Sequence, residues 1–139
     1  MITFSLLKNP SPDQIERIIA LYRQAGWWKN SSDNPELVSR IIHGSHCFMV
    51  VSTTEDGIIG MGRAISDGAS DAYIQDVTVD KSFQGRKIGS GIIRKLVEQL
   101  QTDGLKWIGL IAENNSQPFY ENLGFTKMKN AIPMLNLLP

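Results

Sequence analysis

The apolar positions of this chain fall into two periods, and their order predicts the elements. Ile2 to Leu7 reads as a short opening strand. Ser11-Pro12-Asp13-Gln14 is then a strong helix start, with serine as cap, proline at the first helical position and glutamine three residues after the cap. Ile15, Ile18, Ile19 and Tyr22 recur at helical spacing as one stripe, and the helix should stop near Gly26. A polar loop carrying Trp27 and Trp28 runs to about Asp33. Asn34-Pro35-Glu36 repeats the cap-then-proline signal for a shorter helix through about Ile42.

Period two follows. Cys47 to Thr53 reads as a strand, Glu55-Asp56-Gly57 as a hairpin turn and Ile58 to Ile65 as the next strand. Ser66-Asp67-Gly68 makes another turn, and Ala72 to Val79 alternates as a strand should. Ile88 to Gln101 is a helix with an apolar face of Ile88, Ile92, Ile93, Leu96, Val97 and Leu100, closed by Gly104. Trp107 to Ala112 is a strand bounded by Asn114-Asn115. Ser116 is expected to cap a short helix over Pro118 to Leu123, and Phe125 opens a last stretch with room for one or two strands before Pro139. No repeat or linker interrupts this order. Residues 1–139 therefore read as a single domain, an α/β fold with a mixed sheet and helices on its faces.

Composition narrows the partners. Hydrophobic residues at 42% and charged residues at 20% are ordinary for a soluble globular chain. Lys+Arg and Asp+Glu are both 14, and no basic arm or run suggests a nucleic-acid footprint. Nothing approaches the roughly 18 apolar residues of a membrane span, and the N-terminus lacks a signal-peptide pattern, so a cytoplasmic protein is expected. Cys47 is alone, which excludes an intramolecular disulfide and fits a reducing compartment. His43 and His46 flank a Gly-Ser turn without metal-ligand spacing, so no metal is expected.

The informative junction runs from Val77 to Ser90. A strand ends, a loop turns, and a helix begins with small residues in its first turn. The first amides of a helix lack intrahelical partners, and the helix dipole draws anions to that end. Gly85 and Gly89 let the backbone approach an oxyanion, while Arg86 and Lys87 add positive charge. This predicts a phosphate or pyrophosphate site. No Gly-Lys-Ser/Thr ends the turn as in a P-loop, and the dinucleotide-binding G-x-G-x-x-G is absent.

The turn Gln84-Gly85-Arg86-Lys87-Ile88-Gly89 resembles the cofactor motif of the GNAT N-acetyltransferase superfamily, Arg/Gln-x-x-Gly-x-Gly/Ala after a strand. Lys87 replaces its middle glycine, which is tolerable if the main chain there stays helical. The late Phe119-Tyr120-Glu121-Asn122-Leu123-Gly124-Phe125 resembles a second signature of that superfamily. Gly60 to Gly68 and Ile74 to Asp80 are similar to the arylalkylamine (serotonin-type) N-acetyltransferases, over roughly Gly26 to Phe125. The resemblance implies a mostly antiparallel sheet with about four helices, in which the strand before the phosphate turn carries a bulge and splays from the next strand where acetyl-CoA lies. It implies that Val77 and Val79 bond the pantetheine and thioester through main-chain groups, and that Gln84 to Ser90 hold the pyrophosphate. It further implies that Asn114 and Phe119 contact the cofactor, and that Tyr120 is the acid protonating the coenzyme A thiolate.

Acetyl transfer to an amine also needs a group to take the amine's proton. Asp76, on an otherwise apolar strand, is the better candidate, because a carboxylate there is costly unless a cleft solvates it or a partner pairs it. An aspartate bonded to loop amides is the alternative; Asp67 and Asp71 are weaker candidates beside turn residues. Arg63 and Ser66 match the subfamily pattern and are candidates for the acceptor cleft, with an exposed hairpin arginine as the alternative. Trp27 and Trp28 present apolar surface that an aromatic amine, the core or a second subunit would cover.

These readings converge on direct acetyl transfer from acetyl-CoA to a primary amine of a small molecule, an arylalkylamine among the candidates. A protein N-terminus or lysine is the alternative acceptor, and a non-catalytic CoA-binding module the alternative role. The apolar tail from Ala131 to Leu138 can bury itself in a second copy, forming a homodimer, or supply the last strand of its own sheet.

Overall fold

The computed structural model describes residues 1–29 and 34–138. The end of the polar loop at 30–33 and Pro139 lie outside the described residues. The elements run β1 (Thr3–Leu6), α1 (Pro12–Gln24), α2 (Pro35–Gly44), β2 (Cys47–Thr53), β3 (Gly57–Ser66), β4 (Asp71–Val79), a 3-10 turn (Lys81–Phe83), α3 (Ile88–Thr102), β5 (Trp107–Gly109) and α4 (Gln117–Glu121). The sheet order is β1-β2-β3-β4-β5, antiparallel except for the parallel β4–β5 pair.

Both N-terminal helices start where their caps require. The Ser11 hydroxyl accepts the Gln14 amide at 3.2 Å while the Ser11 amide donates to the Gln14 side chain at 2.8 Å. Asn34 Oδ1 accepts the Leu37 amide at 2.6 Å. Each cap satisfies an amide that the helix cannot, typically adding about 1 kcal/mol. The two helices then cover one face of the sheet, where Ile18, Leu21, Tyr22, Val38 and Ile42 pack on Phe48, Val50, Ile58 and Met61. α3 covers the other face with Ile88, Ile92, Ile93, Leu96 and Leu100, against Met49, Val51, Ile59, Ala64 and Ile74. β2 thus buries both of its faces, which is why Cys47 to Val51 are all buried.

One irregularity organises the functional end of the sheet. Met61 pairs with Thr78 and Arg63 with Gln75, so Gly62 alone faces both Asp76 and Val77. This is a β-bulge, with Asp76 left-handed at φ 57°. Strict alternation would put Ile74, Asp76 and Thr78 on one face and sink a carboxylate into the α3 core. The extra residue instead sends Val77 and Val79 to that core, while Asp76 meets Tyr22 of α1 on the opposite face. β4 also parts from β5: the parallel ladder covers only Asp71 to Tyr73 against Trp107 to Gly109.

Four expectations need correction. The strand expected through Ala112 ends at Gly109, because β4 offers no ladder beyond Tyr73. No strand forms over 125–138; a three-residue β5 is too short a template, and Ile132, Met134, Leu135, Leu137 and Leu138 are 79–89% exposed. The short helix spans Gln117–Glu121 rather than Pro118 to Leu123. Ser116 does not cap it with its side chain; its own backbone is right-handed helical, and the reversal before it comes from left-handed Asn114 and Asn115.

Gly62 is the residue that lets α3 and the bulge share this space. A methyl group there would lie 2.7 Å from Ile92 Cγ2, 3.1 Å from Val77 Cγ2 and 3.2 Å from Leu96 Cδ1. Gly62→Ala is expected to lower the unfolding free energy by about 1–3 kcal/mol in urea titrations, the usual cost of overpacking a core. Wild-type stability in that variant would contradict this packing.

Candidate functional site

The turn after β4 is fixed from below by one buried carboxylate. Asp80 bonds Ile59 across the sheet, and its amide donates to that carbonyl at 2.7 Å. Its Oδ1 accepts the Ser82 amide at 2.9 Å, and its Oδ2 accepts from Arg17 at 3.3 Å and Gln24 at 3.2 Å. Gln24 in turn accepts the Lys81 amide at 3.1 Å, and Arg17 donates twice to the Ile58 carbonyl. The Ser82 amide, followed by Gln24 and Arg17, holds the Asp80 carboxyl below the usual carboxylate range, against the opposing effect of burial. α1 is thereby tied to the root of the turn.

Beyond that root the chain exposes main-chain donors. Gly85 is left-handed at φ 82°. Lys87 caps α3 with φ 62° and ψ 21°, also left-handed, so the main chain there is not helical. Glycine adopts left-handed geometry without strain, and here a lysine bears it. The first amide to bond back is Gly91, to the Lys87 carbonyl. Among the described residues the amides from Gln84 to Ser90 have no acceptor. Over them lies a cavity of about 310 Å³, walled by Val79, Phe83, Gln84, Gly85, Lys87, Ile88, Gly89, Ser90 and Phe119. Arg86 does not line it; its guanidinium lies over the Phe83 ring at 5.2 Å. The Gln84 side chain donates to the Val79 carbonyl at 3.1 Å, so this side chain anchors the turn to the end of β4.

Tyr120 stands beside this cavity's Phe119 wall. Its ring meets Phe119 at 4.9 Å and Phe125 at 5.9 Å, both edge-on, and burial pushes its phenol above the ordinary value. It therefore holds its proton at neutral pH, as an acid must. Its hydroxyl has no hydrogen-bond partner among the described residues. Asn114 is exposed and left-handed, in the loop after β5.

On the opposite face of β4 a second cluster forms. Asp76 Oδ2 accepts the Tyr22 hydroxyl at 2.8 Å and Arg63 Nε at 2.7 Å. Trp28 stacks on the Tyr22 ring at 4.1 Å and 5°, and Trp27 meets it edge-on at 6.1 Å while staying 43% exposed. Burial first, then the neighbouring Asp76 charge, pushes the Tyr22 phenol far above its ordinary value. The structure thus brings together Trp27, Trp28, Arg63 and Asp76. Ser66 lies three positions further along β3, where its hydroxyl donates to the Asp71 carbonyl at 2.6 Å and accepts the Gly68 amide at 2.9 Å. Asp67 likewise accepts the Ala69 amide within that turn. Among the described residues no group of three His, Cys, Asp or Glu side chains is arranged to hold a metal.

Sequence reasoning missed Tyr22, Asp80, Arg17 and Gln24. Tyr22 was hidden in the apolar stripe of α1. Asp80 carried a signal, since an aspartate two residues before Ser82 at a strand end is an aspartate-turn pattern.

An open strand edge beside a turn of unpaired amides, with a carboxylate and an aromatic cluster across the strand, defines a domain of the acyl-CoA N-acyltransferase type. The acetyltransferase (GNAT) domain model matches residues 7–134, and the chain belongs to that family. It is 44% identical to a Glycine max protein named histone acetyltransferase TAP1 over 148 residues, covering 88% of this chain and 62% of the relative. It is 36% identical over 74 residues to a chloroplastic serotonin N-acetyltransferase 2 of Oryza sativa, covering 53% of this chain and 37% of the relative. The chain thus spans less than two thirds of the length of these curated relatives. A Staphylococcus aureus protein of unknown function, described as a probable acetyltransferase, shares the fold with a TM-score of 0.80 and 23% identity, covering all of both chains. A Clostridium acetobutylicum protein solved with acetyl-CoA shares it at 0.74 and 14% identity, covering 97% of this chain and 96% of that one.

The Asp80 clamp has a pH signature. A lowered folded pKa means the group stabilises the fold above its unfolded value near ~4, and this stability is lost as the pH falls through the folded value. Asp80→Asn should therefore unfold about 1–3 kcal/mol more easily at pH 7. The gap from wild type should narrow on acidification, as urea titrations at pH 7 and in the acid range would register. A gap that is absent at pH 7, or that widens in acid, would contradict the clamp.

Proposed function

We propose that the chain transfers the acetyl group of acetyl-CoA to a primary amine by direct attack, with Asp76 and Tyr120 as catalytic residues. The observation that carries this reading is the placement of both halves on one strand. Beyond Tyr73, β4 has an edge without a ladder partner among the described residues, leading to the amide turn. Its bulge presents the Asp76 carboxylate on the other face.

Unpaired amides at a helix start suit a pyrophosphate, which such groups bind without any further charge. Gln84, Gly85, Arg86, Lys87, Ile88, Gly89 and Ser90 form that cradle, with Val77, Val79, Asn114 and Phe119 along the pantetheine. Asp76, directly or through water, takes a proton from the amine. The amine nitrogen bonds to the thioester carbon as that proton leaves, the carbon–sulfur bond breaks, Tyr120 gives its proton to the departing thiolate, and the proton on Asp76 returns through solvent to the Tyr120 phenolate. No covalent enzyme intermediate is needed.

A small-molecule acceptor with an aromatic group is supported by the Tyr22–Trp28 stack and by exposed Trp27, which offer it an apolar platform. Arg63 lies at that platform, and Ser66 at the far end of the same strand. The name of the rice relative points the same way. The second reading, a lysine of a protein, is favoured by the name of the soybean relative, which matches most of the chain. Several relatives are chloroplastic, so the proposed compartment is one that supplies acetyl-CoA, cytoplasm or plastid, rather than cytoplasm alone.

Calorimetry with coenzyme A is the direct test. Micromolar binding is expected, and Lys87→Gly should retain it because glycine adopts the left-handed cap readily. Loss of binding in that variant would move the claim from the amide to the lysine side chain, and no wild-type binding would end the enzyme reading. Tyr120→Phe should keep binding while kcat falls about a hundredfold. Unchanged turnover would remove Tyr120 from the acid role.

A further inference from the structure

Asp76 is held asymmetrically. Both hydrogen bonds it receives, from the Tyr22 hydroxyl and from Arg63 Nε, end on Oδ2. Oδ1 accepts none among the described residues. The side chain is 22% exposed, and no buried side-chain oxygen among the described residues lacks a partner, so Oδ1 is open to solvent. The left-handed backbone of Asp76 is a conformation that surrounding structure must enforce.

Tyr22 is built for that purpose. Its ring fills the α1 core, where phenylalanine would serve equally for packing, yet it carries a hydroxyl aimed at a residue 54 positions away. Trp28 stacks flat on the ring at 4.1 Å and fixes its plane. Its phenol stays protonated across the working pH range, so the bond runs in one direction, from phenol to carboxylate. The charged or titratable groups facing Asp76 are Tyr22 from α1 and Arg63 from β3. Arg63 is steadied only by long contacts, to Ser45 Oγ at 3.4 Å and Gln75 Oε1 at 3.5 Å.

We propose that Tyr22 is a positioning residue for acetyl transfer: with Arg63 it occupies one oxygen of Asp76 and leaves Oδ1 as the acceptor for the proton of the incoming amine. This rests on the reading of Asp76 as base. A carboxylate free to rotate would offer either oxygen, or neither, at the reacting angle. One pinned through Oδ2 offers Oδ1 in a single direction, and misplacement of a catalytic group by about an ångström is costly.

The test compares wild type, Tyr22→Phe and Asp76→Asn as full chains, with acetyl-CoA and whichever of serotonin and a lysine peptide the wild type acetylates. In Tyr22→Phe, kcat should fall roughly ten- to hundredfold while the KM for acetyl-CoA is unchanged. Coenzyme A binding by calorimetry and the thermal unfolding midpoint of Tyr22→Phe should stay close to wild type, so that the loss falls on kcat. A Tyr22→Phe variant with wild-type kcat beside an impaired Asp76→Asn overturns the proposal whatever amine is used, as does a loss confined to the KM for acetyl-CoA. A fully active Asp76→Asn would instead overturn the reading of Asp76 as base, and the positioning role with it.

Discussion

The functional end of this fold depends on one extra residue in β4. Opposite Gly62, where a regular ladder would hold one residue, the strand holds Asp76 and Val77. That insertion changes which face each later side chain meets. Val77 and Val79 join the α3 core, and a carboxylate that alternation would bury among isoleucines reaches an arginine and a phenol instead. The increased local twist that accompanies bulges also fits the separation of β4 from β5 after three paired residues. Gly62 is the matching concession on β3, since any side chain there would meet Ile92 and Val77.

α1 connects the two sides of the strand. Its Arg17 and Gln24 hold Asp80 at the root of the amide turn, and its Tyr22 holds Asp76 at the bulge. One rigid helix, capped at Ser11 and packed on the sheet, thus sets the distance between the proposed cofactor cradle and the proposed acceptor base. The donor and acceptor ends are coupled by packing rather than by a loop, which suits a reaction needing three groups aligned at once.

Local signals were legible in the sequence. The caps at Ser11 and Asn34, the bounds of β2 and the start of α3 all follow from residues within a few positions of one another. The amide turn was legible for the same reason, and the family resemblance supplied its ligand class. Long-range consequences were not legible. Nothing local shows that Tyr22 would meet Asp76 across 54 positions, or Arg17 meet Asp80 across 63. The family resemblance implied a bulge in this strand, but its position at Asp76 and Val77 follows only from the pairing with Gly62. The left-handed turn at Lys87 was not legible because a lysine rarely adopts that geometry, and the tail forms no strand among the described residues because apolar composition alone does not supply a strand partner.

The central proposal is that the turn after the bulge binds a pyrophosphate through its main-chain amides. Backbone hydrogen exchange of the full chain, with and without coenzyme A, reads it most directly. The account predicts fast exchange from Gly85 to Ser90 in the free protein and marked slowing there, and at Val77 to Val79, when coenzyme A is added. Unchanged exchange over Gly85 to Ser90 under saturating coenzyme A, or slowing confined to another part of the fold, would contradict it.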